Sequence, residues 1–104
     1  MALEDMLEDL GHHVVGVAAA VERAIAMIEH MAADVDAAIV DANLSGVSAR
    51  PVVDKLTECG VPVLVASGYE PKELRRLGFT TAILRKPYRP QELQLALVAE
   101  VGRS

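Results

Sequence analysis

Three residues whose side chains could handle a phosphoryl group stand at the ends of short apolar runs. Asp41 follows Ala37-Ala38-Ile39-Val40, Ser67 follows Val63-Leu64-Val65-Ala66, and Lys86 follows Ala82-Ile83-Leu84-Arg85. A carboxylate can attack phosphorus as a nucleophile, while a hydroxyl and an ammonium hold the oxygen charge that develops. Each residue alone has an ordinary reading: an Asp after a strand caps a turn, a Ser before Gly makes one, and a Lys before Pro is a solvated charge. Their joint placement carries the functional reading. Ligands of open parallel sheets bind beyond the carboxyl ends of the strands, so all three side chains are expected to point into one crevice.

The elements that must position them follow from periodicity and punctuation. Leu3, Met6, Leu7 and Leu10 have the i, i+3, i+4, i+7 spacing of a helix stripe, and Gly11 suits its stop. His13-Val14-Val15-Gly16-Val17 is a β-branched run that predicts a strand. Val21, Ala24, Ile25 and Ile28 predict a helix to about Met31, and the run between Asp36 and Asp41 predicts a strand buried on both faces. Asn43-Leu44-Ser45-Gly46 reads as a turn. A helix is expected from about Ser48 to Cys59 with Val52, Val53 and Leu56 inward, stopped by Gly60. Val61 to Ala66 predicts a third strand, a short polar helix ends near Gly78, and Thr80 to Leu84 predicts a fourth strand. Pro90 opens a closing helix with Leu93, Ala96, Leu97 and Val101 inward. Strict α-β alternation with short connections means a parallel sheet covered by helices on both faces.

Composition narrows the function classes. The 104 residues carry 10 Lys and Arg against 15 Asp and Glu, a net charge of −5, and hydrophobic residues make up 52%, enough for one folded domain spanning 1–104. The acidic balance argues against binding to a phosphate backbone, and three aromatics, Tyr69, Phe79 and Tyr88, cannot build a stacking platform for single strands. No apolar run approaches the ~18 residues of a membrane span. The acidic start is unlike a signal peptide, and the single Cys59 forms no internal disulfide, so a cytoplasmic location is expected. His12 and His13 are adjacent and so poor joint metal ligands on a strand. His30, Cys59 and the Arg75-Arg76 pair take structural or solvated readings.

At its polar strand ends the sequence resembles the receiver domain of two-component response regulators. The resemblance rests on Ile39-Val40-Asp41-Ala42-Asn43-Leu44 with the following Gly46, on Val65-Ala66-Ser67-Gly68-Tyr69, and on Leu84-Arg85-Lys86-Pro87-Tyr88. Ala66-Ser67-Gly68-Tyr69 is similar to the subclass whose fourth strand ends in Phe-Ala-Thr-Gly-Tyr, many of whose members stand alone. The resemblance implies a flavodoxin-like (CheY-like) doubly wound α/β fold, here with four strands and five helices and no output domain. It implies a non-enzymatic role in phosphorelay signalling, with Asp41 as phosphoacceptor for a sensor histidine kinase or histidine phosphotransfer protein. Ser67 would bond the phosphoryl group and couple it to a loop shift. Lys86 would pair with a phosphoryl oxygen, and its bond to Pro87 would be cis. Asp41 and the backbone carbonyl of Asn43 would face Mg²⁺, and the signal would leave through protein contacts to a downstream target. The usual switch aromatic falls on Ile83, which leaves Tyr69 or Tyr88 to share that role or simply to cover helix ends.

Two departures qualify what the resemblance implies. A receiver opens with a hydrophobic strand and an acidic pair that holds the metal, and this sequence opens within the first helix. Glu4-Asp5 and Glu8-Asp9 are carried away from the crevice by that helix, so metal binding is expected to be weak. In the family's sheet order the absent strand is central, between Val14–Val17 and Ala37–Val40. Those two segments could close on each other, two chains could pair across the gap, or the sequence could be a shortened form of a longer receiver; self-association, most simply a homodimer, is the favoured expectation. A degenerate receiver that binds partners without phosphorylation is the alternative function. A phosphohydrolase of the haloacid dehalogenase type would need a second Asp where Asn43 stands.

Overall fold

The computed structural model describes residues 3–44, 47–79 and 81–102. Ser45, Gly46, Thr80 and Ser104, on which parts of the sequence reading fell, lie outside the described residues. The helices are α1 (Leu3–Asp9), α2 (Val21–Met31, continued by a 3₁₀ turn at Ala32–Asp34), α3 (Arg50–Glu58), α4 (Pro71–Arg76) and α5 (Pro90–Val101). The strands are β1 (Ala38–Asp41), β2 (Asn43–Leu44), β3 (Val47–Ser48), β4 (Val63–Ser67) and β5 (Ala82–Arg85).

The chain is an α/β fold around a parallel sheet of order β1-β4-β5. Central β4 is buried at all five positions, which explains its unbroken aliphatic run: a strand covered on both faces has no side left for polar residues. One face of the sheet meets α2, α3 and Leu74 of α4, with Ile28, Val40, Val52, Val53, Leu56, Val63, Val65 and Phe79 in one cluster. The other face meets α1 and α5, where Leu64, Leu84, Leu93 and Leu97 are joined by Leu3, Met6, Leu7 and Leu10. The helix stops are where glycine implied them. Gly11 and Gly60 follow α1 and α3 at φ +92° and +75°, in the left-handed region that a residue with a Cβ enters at a cost. Pro90 opens α5, and the Glu92 carboxylate caps it by accepting from the Arg89 N–H at 3.0 Å.

Three features differ from the sequence expectation. Residues 13–17 form no strand; among the described residues β1 has β4 as its sheet neighbour and no ladder joins it to 13–17. A cleft of about 970 Å³ lies between them, lined by Val14 to Val17 on one side and Ala37 to Asp41 on the other. A β-branched run becomes a strand only where a second backbone lies within hydrogen-bonding reach, and here the cleft intervenes. The segment is instead held by α2: Gly16 lies so close to Met27 and Met31 that a Cβ there would collide with the Met27 methyl and press on the Met31 sulfur. Val101, expected inward, is 43% exposed and borders the same cleft. Finally, the segment after Asp41 is an antiparallel ribbon, with Asn43 opposite Ser48 and Leu44 opposite Val47; two-residue strands are too short to leave a periodic signature.

The two-sided core makes a direct prediction. Leu93 is fully buried between α5 and the sheet, whereas Leu95, two residues along the helix, is 72% exposed. Leu93→Ala should lower unfolding free energy by ~2–5 kcal/mol, and Leu95→Ala should stay within about 0.5 kcal/mol, as read from urea denaturation.

Candidate functional site

Parallel register brings the three polar strand ends together. Asp41 is the last residue of β1 and lies opposite Ala66, the residue before Ser67. Ser67 ends β4 opposite Arg85 of β5, and the Lys86 N–H extends that ladder by donating to the Ser67 carbonyl at 2.7 Å. Side chains alternate along a strand, so Leu84 goes into the core while Arg85 goes to solvent, and Lys86 is free to turn over the sheet edge. Its Nζ donates to Asp41 Oδ2 at 2.6 Å, with the two side chains 42% and 45% exposed. The Lys86–Pro87 peptide is cis, as expected.

Asp41, Ala42, Ser67, Gly68 and Tyr69 line a cavity of about 220 Å³ above this edge. Lys86 reaches it through Asp41 instead of lining it. Ser67 is 98% buried, since its exposure is 2%, and its Oγ accepts the Tyr69 N–H at 3.0 Å. Accepting that bond leaves the hydroxyl hydrogen free to turn toward the cavity, since a serine hydroxyl both donates and accepts. Tyr69 is half exposed on the cavity rim, Tyr88 packs against the α1/α5 cluster, and Ile83 packs against the opposite face. Asn43 lies in the β2–β3 ribbon, two residues beyond Asp41.

The donor set does not fit a well-held Mg²⁺. That ion demands near-octahedral oxygen coordination and is usually held by one or two carboxylates plus phosphate and water. Among the described residues no three acidic, His or Cys side chains cluster. Asp41 already carries the Lys86 ammonium, and α1 packs on the α5 side of the sheet with Glu4, Asp5, Glu8 and Asp9 exposed.

Sequence reasoning missed one interaction at the site. The Arg85 guanidinium forks onto the Glu70 carboxylate, Nη1 to Oε2 at 3.3 Å and Nη2 to Oε1, tying the loop after Ser67 to the end of β5. The two residues are 15 apart in sequence, and only the pairing of β4 with β5 makes them neighbours. His12, by contrast, bonds Gln94 of α5 through Nε2 at 2.6 Å, a structural contact, and Cys59 and His30 are exposed.

No family model matches the sequence, and no curated protein does. The fold nevertheless superimposes on a crystal structure of a response regulator receiver protein from Sinorhizobium medicae WSM419 at a TM-score of 0.80. The chain folds as a response regulator receiver domain. Identity to that structure is 25%, and the match covers 95% of this chain and 82% of the other. Among the described residues, no helix of this receiver is long and apolar enough to cross a membrane.

The half-exposed Lys86–Asp41 pair in this receiver should contribute little to stability. Asp41→Asn and Lys86→Met should each change unfolding free energy by less than about 1 kcal/mol, with a coupling of ~0.2–1 kcal/mol in a double-mutant cycle. Loss of any activity in these variants would then report on chemistry and not on folding.

Proposed function

We propose that this receiver accepts a phosphoryl group on Asp41 and passes the signal on through protein contacts, in a cytoplasmic phosphorelay. The observation that carries the reading is the Lys86 ammonium at 2.6 Å from the Asp41 carboxylate, beside the cavity shared with Ser67. The donor would be a phosphohistidine on a sensor kinase or phosphotransfer protein. An Asp41 carboxylate oxygen attacks phosphorus, the P–N bond breaks, and its electron pair goes to the imidazole nitrogen, which takes up a proton from water. The product is an acyl phosphate. Lys86 neutralises the carboxylate at rest and follows the charge to a phosphoryl oxygen. Ser67 donates its hydroxyl hydrogen to another, so that the pull of the phosphoryl group on Ser67 reaches the Tyr69 amide that bonds its Oγ.

Asp41 and the Asn43 carbonyl would hold Mg²⁺ no more than weakly in this reading, because among the described residues the acids beside the site are too few. The same observation favours the second reading, a receiver that binds its partner without phosphorylation. Phosphotransfer from a small donor separates the two. Incubation with acetyl phosphate should add the mass of one phosphoryl group to the wild-type chain and none to Asp41→Asn. Lys86→Met should slow the gain by on the order of 10²-fold. An unmodified, folded wild-type chain would favour the second reading.

A further inference from the structure

The Arg85–Glu70 fork stands beside Ser67 and belongs to neither core cluster. We infer that Arg85 and Glu70 are positioning residues for phosphoryl transfer to Asp41. The fork holds the loop after β4 so that the Tyr69 amide stays on Ser67 Oγ and the Ser67 hydroxyl hydrogen stays turned to the cavity. The inference rests on the reading of Asp41 as phosphoacceptor.

The loop needs such a tether. Between the buried Ser67 and the buried Leu74, residues 68–73 are all exposed. Gly68 lies in open space, with no atom beyond its chain neighbours within 4 Å of the place a Cβ would take. The helix that follows, α4, has six residues and Leu74 as its buried anchor. Stretches with so few buried contacts open locally at small free-energy cost. Against that tendency the Tyr69 N–H has to stay at 3.0 Å from Ser67 Oγ, because a hydroxyl that loses its donor is free to turn its own hydrogen to another acceptor.

The placement of Glu70 points the same way. It occupies the N-cap of α4, where a carboxylate can accept from the unpaired first amides of the helix, yet its side chain makes no cap hydrogen bond. The carboxylate turns instead to β5 and takes the Arg85 guanidinium by both oxygens, Nη1 to Oε2 at 3.3 Å and Nη2 to Oε1. Register sets Arg85 opposite Ser67, and the next residue, Lys86, donates its N–H to the Ser67 carbonyl. Arg85 is therefore fixed by the same strand ends as Ser67, and a planar bidentate pair carries orientation as well as attraction. Loop and serine are held to one frame at two points, the Tyr69 amide and the Glu70 carboxylate.

The test follows phosphoryl transfer from acetyl phosphate to Asp41 of the full chain, with acetate as leaving group, by mass, beside residue-resolved hydrogen exchange of the Tyr69 amide. Arg85→Met and Glu70→Gln each remove one partner, at side chains 56% and 60% exposed, so both variants keep the core. Each should slow the transfer about two- to fivefold, the range an exposed ion pair supports, and speed Tyr69 exchange by a similar factor. The double variant should be no slower than either single one, since both act through one contact. Plain electrostatics gives different signs: loss of a cation near the site slows the transfer, and loss of an anion speeds it. Opposite effects of the two single variants would overturn the proposal, as would additive slowing in the double variant. Tyr69 exchange that neither variant changes, or a wild-type transfer rate despite faster exchange, would also overturn it. In all of these outcomes the wild-type chain still takes the phosphoryl group. A folded wild-type chain that takes none would overturn the phosphoacceptor reading, and the proposal with it.

Discussion

Parallel pairing of β1 with β4 and of β4 with β5 is the constraint on which the site depends. Because all three strands run the same way, their carboxyl ends share one edge, and the residues that finish them meet there whatever their separation in sequence. Asp41 and Lys86 are 45 positions apart and still form a contact of 2.6 Å. β4 bears most of this arrangement. It is the strand with a partner on each side and helices on both faces, and its burial at every position holds the ladder that fixes Ser67 and, through the Ser67 carbonyl, the backbone of Lys86.

The same constraint explains where the molecule is open. The sheet is complete from β4 outward to β5, while the other edge of β1 faces a cleft whose walls belong to both core clusters. The exposed apolar residues Val15, Val17, Val98 and Val101 all border that cleft. Contiguous exposed apolar surface of this kind marks a binding site or an aggregation hazard. Functional edge and open edge share Asp41, which lines both cavities.

Much of this was legible in the sequence because burial on two faces leaves an unmistakable record. Val61 to Ala66 read as a buried strand, and Gly11, Gly60 and Gly78 marked helix ends because each takes a positive φ. Asp41, Ser67 and Lys86 were legible as polar residues closing apolar runs. What failed was information that depends on neighbours. Val14 to Val17 has strand composition, but composition reports fitness for a pleat and not the presence of a backbone to pair with. Val101 lies on the inward stripe of α5, yet periodicity says only which way a residue faces and not whether anything covers it. The Arg85–Glu70 fork left no local trace, since it exists only through the β4–β5 register.

The account rests on Asp41 being the nucleophile at this edge, and the most direct measurement is to trap the acyl phosphate. The folded chain would be treated with acetyl phosphate, reduced with borohydride, and mapped by tandem mass spectrometry. Reduction of an aspartyl phosphate leaves homoserine, and the account predicts homoserine at position 41 and at no other aspartate. Asp41 recovered unchanged from a chain that remains folded, or homoserine at a different aspartate, would contradict it.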